Sequence, residues 1–196
     1  MTIPLSERRW FNSFLAWYFV SVWGSGYLAT KIGLQYAAPF TFLTLRFAFG
    51  IACLIPIVLI ARPRFPDSPN ELGHVIVAGL LMHAVNLGGS HYTQYLGMSA
   101  GITALLLSAQ PLLTAVIAAR WMGETLAPRQ WTGIFVGLAG VALVVWHQVD
   151  IREATLGSLI AVTVSLAGVT GGTLYQRVFC PLVDLRSSAF VQFAAT

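Results

Sequence analysis

The stretch LLLSAQPLLTAVIAARWMGE, residues 105–124, decides how this chain is read. It is as apolar and as long as one membrane crossing, which takes about 20 residues, yet Gln110 and Pro111 interrupt its centre. Pro111 has no N–H for the Leu107 carbonyl, a loss that costs a water-soluble helix about 3 kcal/mol or more. In a bilayer the freed carbonyl can be satisfied by neighbouring helices or water, and the bend can open a cavity at the midplane. The break is therefore either a plain kink or the place where the Gln110 amide meets a solute.

The rest of the sequence supports a membrane setting. Of 196 residues 57% are hydrophobic and 9% charged, with a mean hydropathy of +0.75, whereas a soluble domain carries roughly a quarter charged residues. The stretches free of Asp, Glu, Lys and Arg match crossings: 21 residues between Arg9 and Lys31, 20 between Arg129 and Asp150, and 23 between Glu153 and Arg177. Glu71 to Arg120 encloses 48, room for two crossings joined by GMSAG (97–101). Helices are expected near 10–32, 40–60, 73–96, 101–121, 130–148 and 157–177. A seventh begins near 187 and is cut short at Thr196, so the chain is expected to be part of a longer protein.

Basic residues collect in short cytoplasmic loops. With the N-terminus inside, Arg8, Arg9, Arg62, Arg64, Arg120, Arg129, Arg177 and Arg186 lie inside, against Lys31 and Arg152 outside. Their dispersal between spans, rather than on one solvated face, argues against a nucleic-acid partner. Cys53 and Cys180 are read as unpaired packing residues. The opening SERRWFNSFLAWYFV has the flank of a signal peptide, but it lacks a clear cleavage site and precedes five more spans.

Polar residues inside spans turn towards protein or water. At about 100° per residue, His83, Asn86, Ser90, Thr93 and Gln94 form one stripe on the third helix, with His91 off its edge. The stripe either makes interhelical hydrogen bonds or lines a solute pathway. For His83, which can bond a solute and exchange a proton, the pathway is preferred; for His91, a structural role. On the first helix Trp17, Ser21, Gly24 and Leu28 share a face, where Trp17 can wall a pocket or simply meet lipid. Arg46, in the second helix, and Lys31, at the end of the first, can each attract a carboxylate, although Arg46 can equally cap carbonyls or snorkel outward. Gly133, Gly137 and Gly140, and Gly168 with Gly172, have the spacing of close helix packing.

No Asp or Glu falls within an expected span, and no phosphate-binding G-x-x-x-x-G-K-[ST] loop occurs. GGSHY (88–92) and WGSGY (23–27) lack the G-x-S-G order of an intramembrane serine protease, so no enzyme, cofactor or metal is expected.

WGSGYLATKIGLQYAAPFTFLTLRF (23–47), with ALLLSAQPLLTAVIAARWMGETLAPRQWTGIFVGLAGVALV (104–144), resembles the repeat of the drug/metabolite transporter superfamily, EamA-like branch. The shared features are the W-G start with a following lysine, the proline and arginine of helix two, the central Q-P, Gly123 and Glu124 after helix four, and the Q-W-x-G opening of helix five. The resemblance implies an all-α polytopic membrane helix bundle of two inverted five-helix repeats, of which about six and a half helices are present here. Residues 1–9 would be a cytoplasmic N-terminus, 10–148 one full repeat and 149–196 the start of the second. Under a shift of 146 positions Gly26 meets Gly172, Lys31 meets Arg177, and Arg46–Phe47 meets Gln192–Phe193.

The implied activity is transport of small metabolites, often amino-acid export, through the inner membrane by alternating access without ATP hydrolysis. The expected partners are a small-molecule substrate, the lipid bilayer, and a missing C-terminal half or second chain. Trp17, Ser21, His83, Asn86, Ser90 and Gln110 are the candidate substrate-binding residues, with Lys31, Arg46, Pro111 and Glu124 in pathway or structural roles. The competing reading is a membrane interaction or assembly protein without transport.

Overall fold

The structure is a computed structural model that describes residues 5–148 and 155–196, with the side chains of 5–9 and 144–148 excepted. Arg152 and the side chains of Arg8 and Arg9, which the orientation reading uses, lie outside the described residues. Among the described residues seven helices follow in order: α1 Leu5–Gly33, α2 Pro39–Ala61, α3 Pro69–Tyr95, α4 Ala100–Trp121, α5 Pro128–Gln148, α6 Leu156–Phe179 and α7 Leu185–Ala195. Among the described residues α2, α3, α4 and α6 are long and apolar enough to cross a membrane, with mean hydropathies of 2.3, 1.5, 1.9 and 1.5. The bundle is all-helical, as the sequence implied.

Helix ends follow local chemistry that charge gaps cannot register. The third helix was expected from 73, but α3 starts at Pro69, because the Ser68 hydroxyl accepts from Glu71 N (3.1 Å) while Glu71 Oε2 accepts from Asp67 N (2.9 Å). This reciprocal cap and a proline at the first helical position satisfy donors that a helix start leaves open. Asp184 and Thr155 cap α7 and α6 in the same way, accepting from Arg186 N and Ser158 N. The first helix also begins earlier than expected, at Leu5 rather than 10.

Two irregularities shape the interior. In α3, Leu80–Val85 is π-helical, between regular segments Pro69–Gly79 and Asn86–Tyr95. In α4, where the sequence leads one to expect a bend at Gln110–Pro111, the helix is Ala100–Leu107 and Gln110–Trp121, parted at Ser108 and Ala109, whose ψ values of −13° and −14° tighten the turn. The break lies in the turn before Pro111, where its ring would meet the Leu107 carbonyl.

Helices α3 and α6 form the tightest crossing. A Cβ on Gly168 would stand 2.7 Å from Val85 Cγ1 and 3.0 Å from the Leu81 carbonyl; one on Gly89 would stand 2.8 Å from the Ala161 carbonyl. Only hydrogen at these positions permits the approach, which small residues provide in the absence of a hydrophobic drive between helices in lipid. Helix α7 packs against α2 and α3, α4 against α6, and α1 and α5 against α4. Among the described residues Cys53 is exposed and Cys180 buried, both unpaired.

Candidate functional site

The lengths of the helices and their alternating directions put the end of α1, the start of α2, the end of α3 and the start of α4 at one end of the bundle, the Lys31 end. Two adjoining cavities open from that half. The smaller, about 130 Å³, is walled by Tyr27 and Thr30 of α1, Arg46 of α2, and Asn86, Ser90 and His91 of α3. The larger, about 470 Å³, runs between α1 and the broken part of α4 past Ser108 to Gln110 and Pro111. Trp23, Tyr27, Asn86 and Leu107 line both, so the two adjoin along these four residues.

Most polar groups around this space are held in place. Asn86 donates to the Met82 carbonyl (3.2 Å), and Ser165 Oγ of α6 shares its single proton between the Asn86 carbonyl (2.6 Å) and Asn86 Oδ1 (2.9 Å). Gln110 Nε2 lies 3.3 Å from Thr114 Oγ1 and 3.4 Å from Thr173 Oγ1 of α6, so the amide beside the break is fixed by both helices. Thr30 donates to the Gly26 carbonyl (2.9 Å) and lies 3.3 Å from His91 Nε2, a contact that joins α1 to α3.

The structure brings Asn86, Ser90, Gln110, Arg46 and Pro111 together around the two adjoining cavities and leaves other expected residues out of them. Trp17 is 73% exposed and Ser21 is exposed too, both below the cavities on α1. Lys31 is exposed at the helix end. His83 lines neither cavity: its Nε2 donates to Gln192 Oε1 (3.1 Å), and its ring sits against Phe47 and Phe193, whose centroids are 6.1 and 5.0 Å away. Gln192 Nε2 passes the chain on to Gln176 Oε1 and Ser188 Oγ.

The π-helical turn explains this division. A uniform 100° spacing puts His83 and Asn86 on one stripe, but the extra residue per turn at Leu80–Val85 rephases the helix between them. His83 turns to α2 and α7, and His91, read as structural, comes round to line the smaller cavity. Tyr27 and Trp23 were missed as wall residues; their i, i+4 spacing with Thr30–Lys31 and Trp23's place in the W-G motif were the available signals.

Glu124 lies outside both cavities. Gly123, at φ +72°, turns the chain after α4, and the Glu124 carboxylate forms an ion pair with Arg177 at the end of α6, away from the Lys31 end. At the same end His74 Nδ1 meets the Tyr175 hydroxyl at 2.7 Å, Arg64 Nε donates to Asp67 (3.0 Å), and Ser187 donates to the Arg64 carbonyl (2.7 Å). Among the described residues no three His, Cys, Asp or Glu side chains gather as a metal site.

Comparison with known proteins places these features in a family. A probable amino-acid metabolite efflux pump of Escherichia coli K12 is 26% identical over 165 residues, covering 84% of this chain and 53% of that protein. Its Salmonella typhimurium namesake is 29% identical over 166 residues, covering 85% and 53%. An uncharacterized inner membrane transporter, YedA, of Escherichia coli K12 is 25% identical over 174 residues, covering 89% and 56%. The chain thus spans about half the length of the curated relatives it matches. No solved structure matches it significantly. The family model described as EamA-like transporter family matches residues 11–146, which contain α1 from Phe11 onward, α2 to α4 and nearly all of α5, and the chain belongs to that family.

Proposed function

We propose that the protein moves small metabolites across the cell's inner membrane, as an exporter of amino acids or related solutes that works by alternating access without ATP hydrolysis. The observation that carries this reading is the pair of adjoining cavities from Arg46 to Gln110, polar along one wall, lined by Trp23 and Tyr27, and reaching the break in α4. Family membership and the efflux names of two relatives support it. In this reading residues 10–148 are one repeat, the N-terminus is cytoplasmic, the space opens outward, and the Glu124–Arg177 end is closed towards the cytoplasm. Asn86, Ser90 and Gln110 are the residues we assign to the solute.

The test is efflux of labelled amino acids from cells expressing the whole coding sequence. Faster loss than from control cells, abolished by Gln110→Leu, is the expected result; unchanged efflux across the panel overturns the reading. The glycine crossing of α3 and α6 favours the second reading, a packed membrane scaffold. Asn86→Cys, Ser90→Cys and Gln110→Cys, in a background without Cys53 and Cys180, separate the two. Reaction with a water-borne thiol reagent at these positions marks an aqueous cavity, and protection at all three marks the scaffold.

A further inference from the structure

We propose that Arg46 is the carboxylate anchor of this space, so that the site reads the carboxylate of its solute and not the ammonium. The proposal rests on the transport reading for its biological meaning and on the cavity geometry for its chemistry.

Arg46 lies seven residues past Pro39, so at 1.5 Å per residue its Cα is about 10 Å below the start of α2. A cation at that depth is costly unless something pairs with it or water reaches it. Among the described residues the ion pairs are Arg64–Asp67, Arg177–Glu124 and Arg186–Asp184, and Arg46 takes part in none. Nor, among the described residues, does its side chain donate to a carbonyl: the hydrogen bonds near it on α2 run from Thr44 Oγ1 to the Phe40 carbonyl and within the helix. Arg46, an exposed residue, is instead one of the residues that line the smaller cavity, and its planar fork of five N–H donors suits a carboxylate bidentately.

The surroundings fix the class of anion. The other titratable groups at the smaller cavity are His91 and Tyr27, and no Asp or Glu stands among its lining residues, so nothing in the wall neutralises Arg46 or awaits an ammonium. Lys31, the nearest cation along α1, is exposed at the helix end and lines neither cavity. A single guanidinium balances one carboxylate, whereas a phosphate monoester, with about 1.5–2 charges at neutral pH, would leave excess charge in an apolar space. Asn86 and Ser90 offer neutral polar contacts across from Arg46. The larger cavity, with Leu28, Ala104, Leu107 and Val169 in its walls, receives the side chain of the solute. The class is thus a small monocarboxylate with an apolar or neutral tail.

The experiment uses purified full-length protein in lipid nanodiscs and phenylglyoxal, which modifies accessible arginines, with Arg46 modification followed by mass spectrometry. Acetate, L-leucine and 4-methylpentanoate are compared with acetamide and leucinamide at equal ionic strength. At carboxylate concentrations about ten times the Kd, occupancy is expected to slow modification of Arg46 by about tenfold, the factor 1 + [L]/Kd, while the amides do not. Arg46 that never reacts, or reacts equally under both sets, overturns the anchor.

Efflux by Arg46→Gln and Arg46→Lys supplies the second readout, with size-exclusion profiles confirming folding. Loss in Arg46→Gln with partial recovery in Arg46→Lys supports the anchor. Undiminished efflux in Arg46→Gln overturns the anchor and leaves the transport reading standing. Carboxylate protection in a protein that moves no amino acid does the reverse.

Discussion

Gly168→Ala and Gly171→Ala should shift stability in opposite directions, although the two residues lie three apart on one helix. At Gly168 the added Cβ would stand 2.7 Å from Val85 Cγ1, 3.1 Å from Val85 Cβ and 3.0 Å from the Leu81 carbonyl. Val85 is β-branched and has little rotamer freedom, and the carbonyl belongs to backbone, so α3 and α6 must move apart. Overpacking of this kind costs about 1–3 kcal/mol, against which alanine recovers about 1 kcal/mol of helix propensity. At Gly171 nothing lies within 4 Å, so only the gain remains. The two variants should therefore differ by about 1–3 kcal/mol, which at about 2–4 °C per kcal/mol for a chain of this size separates their thermal midpoints by about 2–12 °C. Intrinsic tryptophan fluorescence during heating in detergent measures this. Gly89→Ala, facing the Ala161 carbonyl at 2.8 Å from the other helix, should melt low with Gly168→Ala. If Gly168→Ala melts as high as Gly171→Ala, the close crossing is not what holds these helices.

The His83–Gln192–Gln176 chain gives a second expectation: Gln192→Leu strands the His83 N–H and the Gln176 carbonyl oxygen, and should cost about 1–3 kcal/mol in the same melt, part of which His83→Leu restores in the double variant. At the opposite extreme, a double-mutant cycle on Glu124→Gln and Arg177→Gln should return a coupling of only about 0–1 kcal/mol, because both side chains are partly exposed. That coupling should vanish towards about 1 M salt, where screening acts within roughly 3 Å. A coupling that survives high salt would mean that the pair is shielded from solvent.

What was legible in the sequence was what composition and spacing encode directly. The gaps between charges locate α6 and the α3–α4 pair closely, because a charge inside a span is costly. Gln110 and Pro111 announce the broken part of α4, and the structure puts both on the larger cavity. The start of α3 was misplaced by four residues because Ser68, Pro69 and Glu71 form a cap whose signal is chemical identity, not hydropathy. The π-helical turn had no such signature in LLMHAV, and its rephasing decides that His91, not His83, meets the cavity. The roles of Trp17 and Ser21 depended on which face of α1 turns inward. That choice follows from packing on α4, which a helical wheel of one segment does not contain.

The interlocking of α3 with α6 divides the bundle mechanically. Helices α2, α3, α6 and α7 mesh through glycine contacts and the Gln192 chain, so they behave as one block, whereas α1 leans on the first half of α4 and reaches α3 through the Thr30–His91 pair. The cavities run along the boundary between that block and α1 with upper α4. Any change in their width is therefore a shear of the two outer pieces over a fixed face. The parted turn at Ser108–Ala109 divides α4 into an upper half that touches α1, α3, α5 and α6 and a lower half seated on α5 and α6, so the two halves answer to different sets of neighbours.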